Sequence, residues 1–140
     1  MQKSLVNKKT IGIDTNIFIY YFANTSEFYN EAKAFFEYTI LHKREFITSS
    51  LSIAELLSFQ AQEPMIAALF DNLLQLPNLK IYSMDTNIAK EAARIRRLYR
   101  YSLSDAIQLA TALYAKADVF VTNDKRLRSF KEIAISSLDI

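Results

Sequence analysis

Short strand-like runs alternate with segments of helical periodicity along the chain, and few folds accommodate such an order. The runs are rich in β-branched and aromatic residues, which favour strands. They are residues 10–14, 45–49, 79–83 and 118–122. Because parallel strands need a crossover connection, strands separated by helices form a mainly parallel sheet. The sequence therefore predicts an α/β fold with helices on both faces of a mainly parallel sheet.

Residues typical of helix N-termini predict where the helices between these strands begin. Ser52 and Glu55 have the S-x-x-E spacing of a capping box, and Pro64 suits the first turn of a helix, where its missing N–H has no helical partner anyway. The predicted helices are residues 15–21, residues 26–41, one opened by Ser52, one from Pro64 to about residue 75, residues 85–99, and one capped by Ser102.

Length and composition indicate one soluble domain over residues 1–140. The 140 residues are 51% hydrophobic, which is ample for one core. Charged residues interrupt every apolar run before the roughly 18 residues of a membrane helix, so no membrane association is expected. The N-terminus lacks the apolar stretch and cleavage site of a signal peptide, and there is no Cys. We expect a cytoplasmic protein.

The chain contains a single glycine, Gly12. Glycine-rich phosphate loops need two or more glycines at fixed spacing, because the backbone must approach the phosphates closely. Dinucleotide-binding and P-loop sites are therefore excluded.

Four acids follow strand-like runs or begin helices: Asp14, Glu55, Asp105 and Asp124. Each alone is also explained as a helix cap or as the acid of a capping box. In open α/β sheets, however, the carboxyl ends of the strands form the ligand site. Four carboxylates on one such edge would repel each other unless a cation neutralised them.

The donor types favour Mg²⁺ or Mn²⁺ as that cation. Carboxylate oxygens suit these ions, whereas zinc calls for His or Cys. The only histidine, His42, lies far in sequence from the acids and is expected on the surface. A divalent ion held by carboxylates can activate water for attack on phosphorus. Ser49, Ser50 and Ser52 have no nearby His or Lys that would support a serine nucleophile.

At these acids the sequence resembles the PIN-domain family, and within it the VapC-type toxins. Residues 14–16 (DTN) look like the family's first motif and residues 52–56 (SIAEL) like its second. Residues 104–113 (SDAIQLATAL) are very similar to its third, and residues 122–124 (TND) look like its fourth. The four motifs occur in the family's order and span residues 11–127.

The resemblance implies a three-layer sandwich and a metal-dependent endoribonuclease that cleaves single-stranded or looped RNA. Asp14, Glu55, Asp105 and Asp124 carry over as metal ligands or as acids that position water. Asn16 and Thr122 carry over as groups that orient them, although Thr122 also fits a strand-end hydroxyl bonded to backbone. The family further implies a homodimer and an antitoxin that occupies the active-site groove.

Two further groups of residues bear on binding. Lys125 and Arg126 directly follow Asp124 and are expected to contact the phosphates of RNA, whereas the basic residues at 90–100 more simply form a solvated face. Nine aromatic residues fall between Phe18 and Tyr38, more than one helix face buries. The excess indicates a dimer surface or an antitoxin groove, with base stacking a weaker alternative.

Three other functions compete with this interpretation. A PIN-like binding module with little activity would be favoured by a missing acid, and all four are present. Phosphatases of the haloacid dehalogenase type need a second acid two residues after Asp14, where Asn16 stands. A response-regulator receiver needs a cluster of acids near the first strand, and Asp14 is alone there.

Overall fold

Five strands and six α-helices alternate in the computed structural model, which describes residues 8–23 and 26–138. The strands are β1 (Thr10–Ile13), β2 (Glu45–Ser49), β3 (Leu79–Tyr82), β4 (Val119–Val121) and β5 (Ala134–Ser136). The helices are α1 (Thr15–Phe22), α2 (Tyr29–Leu41), α3 (Ser50–Leu56), α4 (Glu63–Leu74), α5 (Thr86–Tyr99) and α6 (Leu103–Tyr114), with a 3₁₀ helix at Lys125–Ser129.

The strands form one sheet in the order β3-β2-β1-β4-β5, and all its neighbouring strands are parallel. The predicted parallel α/β sheet is confirmed. Strand β5 was not predicted, because its three residues are too few to show a periodic pattern. The chain reverses its direction of winding at β1 and β4, so the carboxyl ends of these two strands flank the switch point where ligands bind in such sheets.

Helices cover both faces of the sheet, as predicted. On β4, Val119 and Val121 face a core shared with α1 and α2, while Phe120 faces a second core with α5 and α6. Helix α6 lies close to the sheet at Gly12: a Cβ there would be 2.9 Å from Phe120 Cδ1 and 3.1 Å from the Cβ of Ala112. A larger residue would push α6 away from β1.

Most predicted helix starts are confirmed. Pro64 lies in the first turn of α4, and the Ser102 side chain accepts a hydrogen bond from the backbone N–H of Asp105. Helix α2 begins at Tyr29, three residues after the predicted start. None of the helices in the described ranges is long and apolar enough to cross a membrane.

The capping box predicted at Ser52 is wrong. Helix α3 begins at Ser50, and the hydroxyl of Ser49 caps it by accepting from the N–H of Leu51. The chain passes from β2 into α3 without a loop, so the helix starts earlier than the local pattern indicates. Ser52 is thereby left inside the helix, fully buried, with its hydroxyl directed to other elements.

The aromatic residues of α1 and α2 pack mainly against each other. Phe18 stacks on Phe36 at 6.0 Å between ring centroids, and Tyr21 stacks on Phe36 at 4.5 Å. Six of the nine lie in or against the core: Phe18, Tyr20, Tyr21, Phe22, Phe35 and Phe36. Packing in and against the core on α1 and α2 therefore accounts for most of these aromatic residues.

Candidate active site

The four predicted acids line one cavity of about 410 Å³. Asp14 follows β1, Glu55 lies in the last turn of α3, Asp105 lies in the first turn of α6, and Asp124 precedes the 3₁₀ helix after β4. The structure therefore brings together at the switch point four residues that are up to 110 positions apart in sequence. Asn16 lines the same cavity.

Asp14 is buried, and its carboxylate accepts a hydrogen bond from Thr122. The hydroxyl of Thr122 donates to Asp14 Oδ2 at 2.6 Å and accepts from the backbone N–H of Asp124 at 3.0 Å. Thr122 therefore makes both the contact with an acid and the backbone bond that its two interpretations require. Burial raises the pKa of Asp14 to about 6, the Thr122 hydrogen bond opposes that rise, and the charge of Asp105 adds to it.

Asp105 is half-buried and faces other acids. Burial raises the pKa of its carboxyl, and the charges of Asp124 and Glu55 raise it further, while Ser102 and Arg126 act in the opposite direction. The capping bond at this helix start uses the backbone N–H of Asp105 and the hydroxyl of Ser102. The backbone N–H that makes this cap would remain if the carboxylate of Asp105 were replaced by an amide.

Glu55 is held by three donors from two neighbouring helices. Its Oε1 accepts from the hydroxyl of Thr15 at 2.8 Å and from Gln108 Nε2 at 2.9 Å. Its Oε2 accepts from the hydroxyl of Ser104 at 2.8 Å. Glu55 consequently acts as an acceptor between helices and does not serve as the acid of a capping box.

The guanidinium of Arg126 forms ion pairs with two of the four acids, Asp124 and Asp105. Its Nη2 is 2.6 Å from Asp124 Oδ2 and 3.6 Å from Asp105 Oδ2. The hydrogen bond from the Arg126 side chain holds the pKa of Asp124 below its usual value. Asp124 also accepts from the backbone N–H of Arg126, so it caps the 3₁₀ helix as the alternative interpretation predicted. The neighbouring Lys125 is exposed.

The PIN domain family model matches residues 11–134. The chain belongs to the PIN domain family. That assignment agrees with the positions of all four motifs and with the parallel three-layer fold. No curated protein sequence matches the chain significantly.

Solved structures share the fold of this PIN domain. A chain of VapBC2 from Rickettsia felis bound to a DNA fragment from their promoter has a TM-score of 0.69 at 17% identity, over 91% of this chain and 98% of that one. DNA-bound VapBC from Salmonella typhimurium gives 0.69 at 21% identity, over 94% and 98%. A toxin-antitoxin complex from Klebsiella pneumoniae gives 0.67 at 22% identity, over 92% and 97%.

The oxygen atoms that the residues of the PIN-domain cavity offer are of the chemical type that a hard divalent cation prefers as ligands. The described residues that line it offer carboxylate, amide and hydroxyl groups and include neither His nor Cys. A bound cation would offset the burial and like-charge repulsion that raise the pKa values of Asp14 and Asp105. As the side chains stand, no three acids within residues 8–23 and 26–138 form a cluster able to hold one ion. Asp124 is paired with Arg126 in this arrangement, so it could join a metal site only if that pair opened.

His42 lies away from this site, as predicted. It is exposed at the carboxyl end of α2, where its Nδ1 is 2.8 Å from the carbonyl oxygen of Tyr38. Arg94, from the basic helix, pairs with Glu91 and Glu132. This pairing supports the prediction that α5 presents a solvated charged face.

Three residues of the PIN-domain site were missed by sequence reasoning: Thr15, Ser104 and Gln108. Gln108 carried the clearest signal, because it is a polar residue within the apolar run of α6. A buried amide is costly unless it is hydrogen-bonded, so such a residue points to partners on another element. The two hydroxyls had no comparable signal, since Ser and Thr are ordinary near helix starts.

An apolar cavity of about 560 Å³ adjoins the acidic one. Ile19 and Glu55 line both. Its wall on α4 includes Met65, which is 57% exposed, and helix α4 is apolar but largely unburied. The lining residues are Ile19, Phe22, Ala23, Glu55, Leu56, Phe59, Met65, Ala68, Leu69 and Asn72.

Proposed function

We propose that this PIN domain is a metal-dependent endoribonuclease and the toxin of a type II toxin-antitoxin pair. The observation that carries the proposal is the single cavity lined by Asp14, Glu55, Asp105 and Asp124 at the switch point of the sheet. The family assignment and the shared fold with chains of VapBC complexes support it.

Asp14 and Asp105 are the acids proposed to hold Mg²⁺ or Mn²⁺ directly, with Asp124 and Glu55 completing the set. Asp14 is buried and fixed by Thr122, and Asp105 lies in the first turn of a helix, where its rotamers are limited. If these carboxylates hold a divalent ion, its positive charge would activate water and offset charge on the phosphoryl oxygens.

The remaining residues are proposed to place water and RNA. Glu55 is fixed by three donors, and its remaining acceptor position would contact either the ion itself or a water bound to the ion. Asn16 is exposed in the cavity and its amide is available to a phosphate oxygen. Lys125 and Arg126 lie beside Asp124, and we propose that they bind the phosphates next to the scissile bond.

The apolar cavity beside the acids is proposed to bind the antitoxin. An antitoxin segment that fills it would lie against Ile19 and Glu55, which the two cavities share, and would thereby block access to the acids. Apolar surface of this kind, rimmed by polar residues, is typical of a protein-binding groove. We also propose that the protein acts in the cytoplasm as a homodimer, which light scattering after size-exclusion chromatography tests.

Cleavage of a labelled mixed RNA pool tests the proposal. Purified protein is incubated with Mg²⁺ or Mn²⁺, with EDTA, and as the Asp14→Asn variant. We expect cleavage that requires metal and is lost in the variant. Absence of cleavage by folded protein with either metal would contradict the proposal.

One observation favours a different function, an RNA- or protein-binding module with little activity. Arg126 is paired with Asp124 and Asp105, and three donors hydrogen-bond to Glu55, so these three acids have partners without an ion. Under this alternative the protein would bind RNA with equal affinity in Mn²⁺ and in EDTA and would cleave none.

A further inference from the structure

Gln108 is a buried amide whose side-chain oxygen and nitrogen form hydrogen bonds to Thr15 and Glu55. It is 5% exposed, although the residues on either side of it in α6 are buried apolar side chains. Its Nε2 lies 2.9 Å from Glu55 Oε1 and 3.3 Å from Thr15 Oγ1, and its Oε1 accepts from the backbone N–H of Thr15 at 3.3 Å. One side chain therefore joins α6 to the start of α1 and to the end of α3.

A chain of buried hydroxyls reaches the same carboxylate from β2. The hydroxyls of Thr48 and Ser52 are 2.8 Å apart, and Ser52 is again 2.8 Å from Thr15. Thr15 in turn lies 2.8 Å from Glu55 Oε1. Because a carboxylate only accepts and each hydroxyl has one proton, Thr15 must donate to Glu55, and Ser52 must then donate to Thr15. The same reasoning makes Thr48 donate to Ser52, so every proton of the chain is directed toward Glu55 and each bond strengthens the next.

These bonds limit what Glu55 can still accept. An oxygen of a carboxylate has two acceptor positions, and on Oε1 Thr15 and Gln108 take both. Ser104 takes one position on Oε2. Among residues 8–23 and 26–138 these are the donors to Glu55, so a single acceptor position remains on Oε2, and the other three bonds fix the rotation of the carboxylate.

We propose that Gln108 is a positioning residue of the nuclease, which orients the carboxylate of Glu55 so that Oε2 presents its open acceptor position to the cavity. The inference rests on the proposed function and goes beyond it by assigning a role to a residue outside the four acids. Gln108 acts through Glu55 and needs no contact with RNA or metal.

The Gln108→Met variant tests this role, because methionine has similar length and volume but cannot donate to Glu55. Mn²⁺ affinity is measured from the electron paramagnetic resonance signal of free Mn²⁺, which disappears on binding. Loss of a group that orients a metal-site carboxylate typically weakens metal affinity about 10-fold or more. We expect that loss, together with a similar fall in kcat and an unchanged KM for RNA.

A double-mutant cycle separates positioning from general support of the fold. If Gln108 acts through Glu55, Gln108→Met should have no further effect on Mn²⁺ affinity in a Glu55→Ala background. The matched control is Thr111→Val, which alters another buried polar residue of α6 whose hydroxyl bonds within the helix to the carbonyl oxygen of Ile107. We expect the control to bind Mn²⁺ as the unmodified protein does.

Variants of Ser104 test the orientation of Glu55 independently if Gln108→Met does not fold. Ser104→Ala removes a donor to Oε2 and should weaken Mn²⁺ binding, and Ser104→Thr should restore it, because it keeps the hydroxyl.

Additive effects of Gln108→Met and Glu55→Ala, or normal Mn²⁺ affinity in Gln108→Met and Ser104→Ala, would overturn the inference while the unmodified protein still cleaved RNA. If the unmodified protein neither bound Mn²⁺ nor cleaved RNA, the proposed function would fail first and this inference with it.

Discussion

Thr122 and Asp14 join the carboxyl ends of the neighbouring strands β4 and β1, at the point where the acids meet. The hydroxyl of Thr122 donates to Asp14 Oδ2 at 2.6 Å, and the two side chains are 2% and 6% exposed. The same hydroxyl accepts from the backbone N–H of Asp124, which begins the turn carrying the fourth acid. The position of Asp14 therefore depends on a residue 108 positions away.

The Asp14→Asn variant should be more stable than the unmodified protein at high pH. Burial raises the pKa of Asp14 from 3.8 to about 6. The native state therefore binds this proton more tightly than the unfolded chain, and stability is lost as the pH rises from about 4 to about 6. In EDTA we expect Asp14→Asn to raise the free energy of unfolding by about 1–3 kcal/mol at pH 8, with a smaller gain at pH 4.

Urea denaturation at both pH values measures this difference. Asp71→Asn is the control, because it removes the same charge from an exposed position on α4. An equal gain in both variants would show that net charge, and not the burial of Asp14, is responsible.

Asp105→Asn should abolish cleavage and retain the fold. The cap of α6 uses the backbone N–H of Asp105, which the variant keeps, while the lost charge is one that the proposed metal requires. We expect RNA cleavage to fall at least about 100-fold. Asp85→Asn is the matched control, since Asp85 caps α5 through its side chain and lies outside the cavity. Equal activities of the two variants would assign Asp105 a structural role only.

Arg126→Gln should strengthen Mn²⁺ binding. The guanidinium of Arg126 is paired with Asp124 and Asp105, so a metal ion must displace it. Arg126 is largely exposed, and exposed ion pairs are weak, so we expect a gain in Mn²⁺ affinity of only about 2- to 5-fold. Isothermal titration with Mn²⁺ measures the gain, and Arg128→Gln controls for the change in net charge. Weaker Mn²⁺ binding in Arg126→Gln than in the control would contradict displacement.

Met65→Glu should prevent antitoxin binding without loss of nuclease activity. Met65 is 57% exposed on the wall of the apolar cavity, so a charge there disrupts docking and leaves the core unchanged. Where a neighbouring gene encodes a small DNA-binding protein, co-purification with that protein measures binding, and RNA cleavage measures activity. Leu98→Glu is the control, because Leu98 is 65% exposed on α5, away from the cavity. Equal binding by both variants would remove this cavity as the antitoxin groove.

Gly12→Ala should destabilise the protein by about 1–3 kcal/mol. The added Cβ would be 2.9 Å from Phe120 and 3.1 Å from Ala112, so β4 or α6 must shift. The midpoint of urea denaturation measures the effect. An unchanged midpoint would mean that α6 moves away from the sheet without cost.

The sequence predicted most of the fold and the four acids because both leave local signals. A strand of five residues and a helix of twelve repeat their apolar pattern within a short window, and acids at strand ends occur in the same windows. Glu45–Ser49 was predicted to the residue, and Pro64 and Ser102 correctly marked helix starts. The same local reasoning failed at Ser52, where a capping motif was overridden by a helix that had already begun.

What only the tertiary structure decided is the set of contacts between residues distant in sequence. Local periodicity specifies which face of a helix is buried but not which side chain of another element meets it. Gln108 and Thr15 contact each other across 93 positions, and Arg126 reaches Asp105 from a different element. By itself the sequence determined an α/β chain with four acids at the ends of its strands and helices. Packing of α1, α3 and α6 determined that Glu55 is held by three donors, because hydrogen bonds depend on distances that only the assembled sheet establishes.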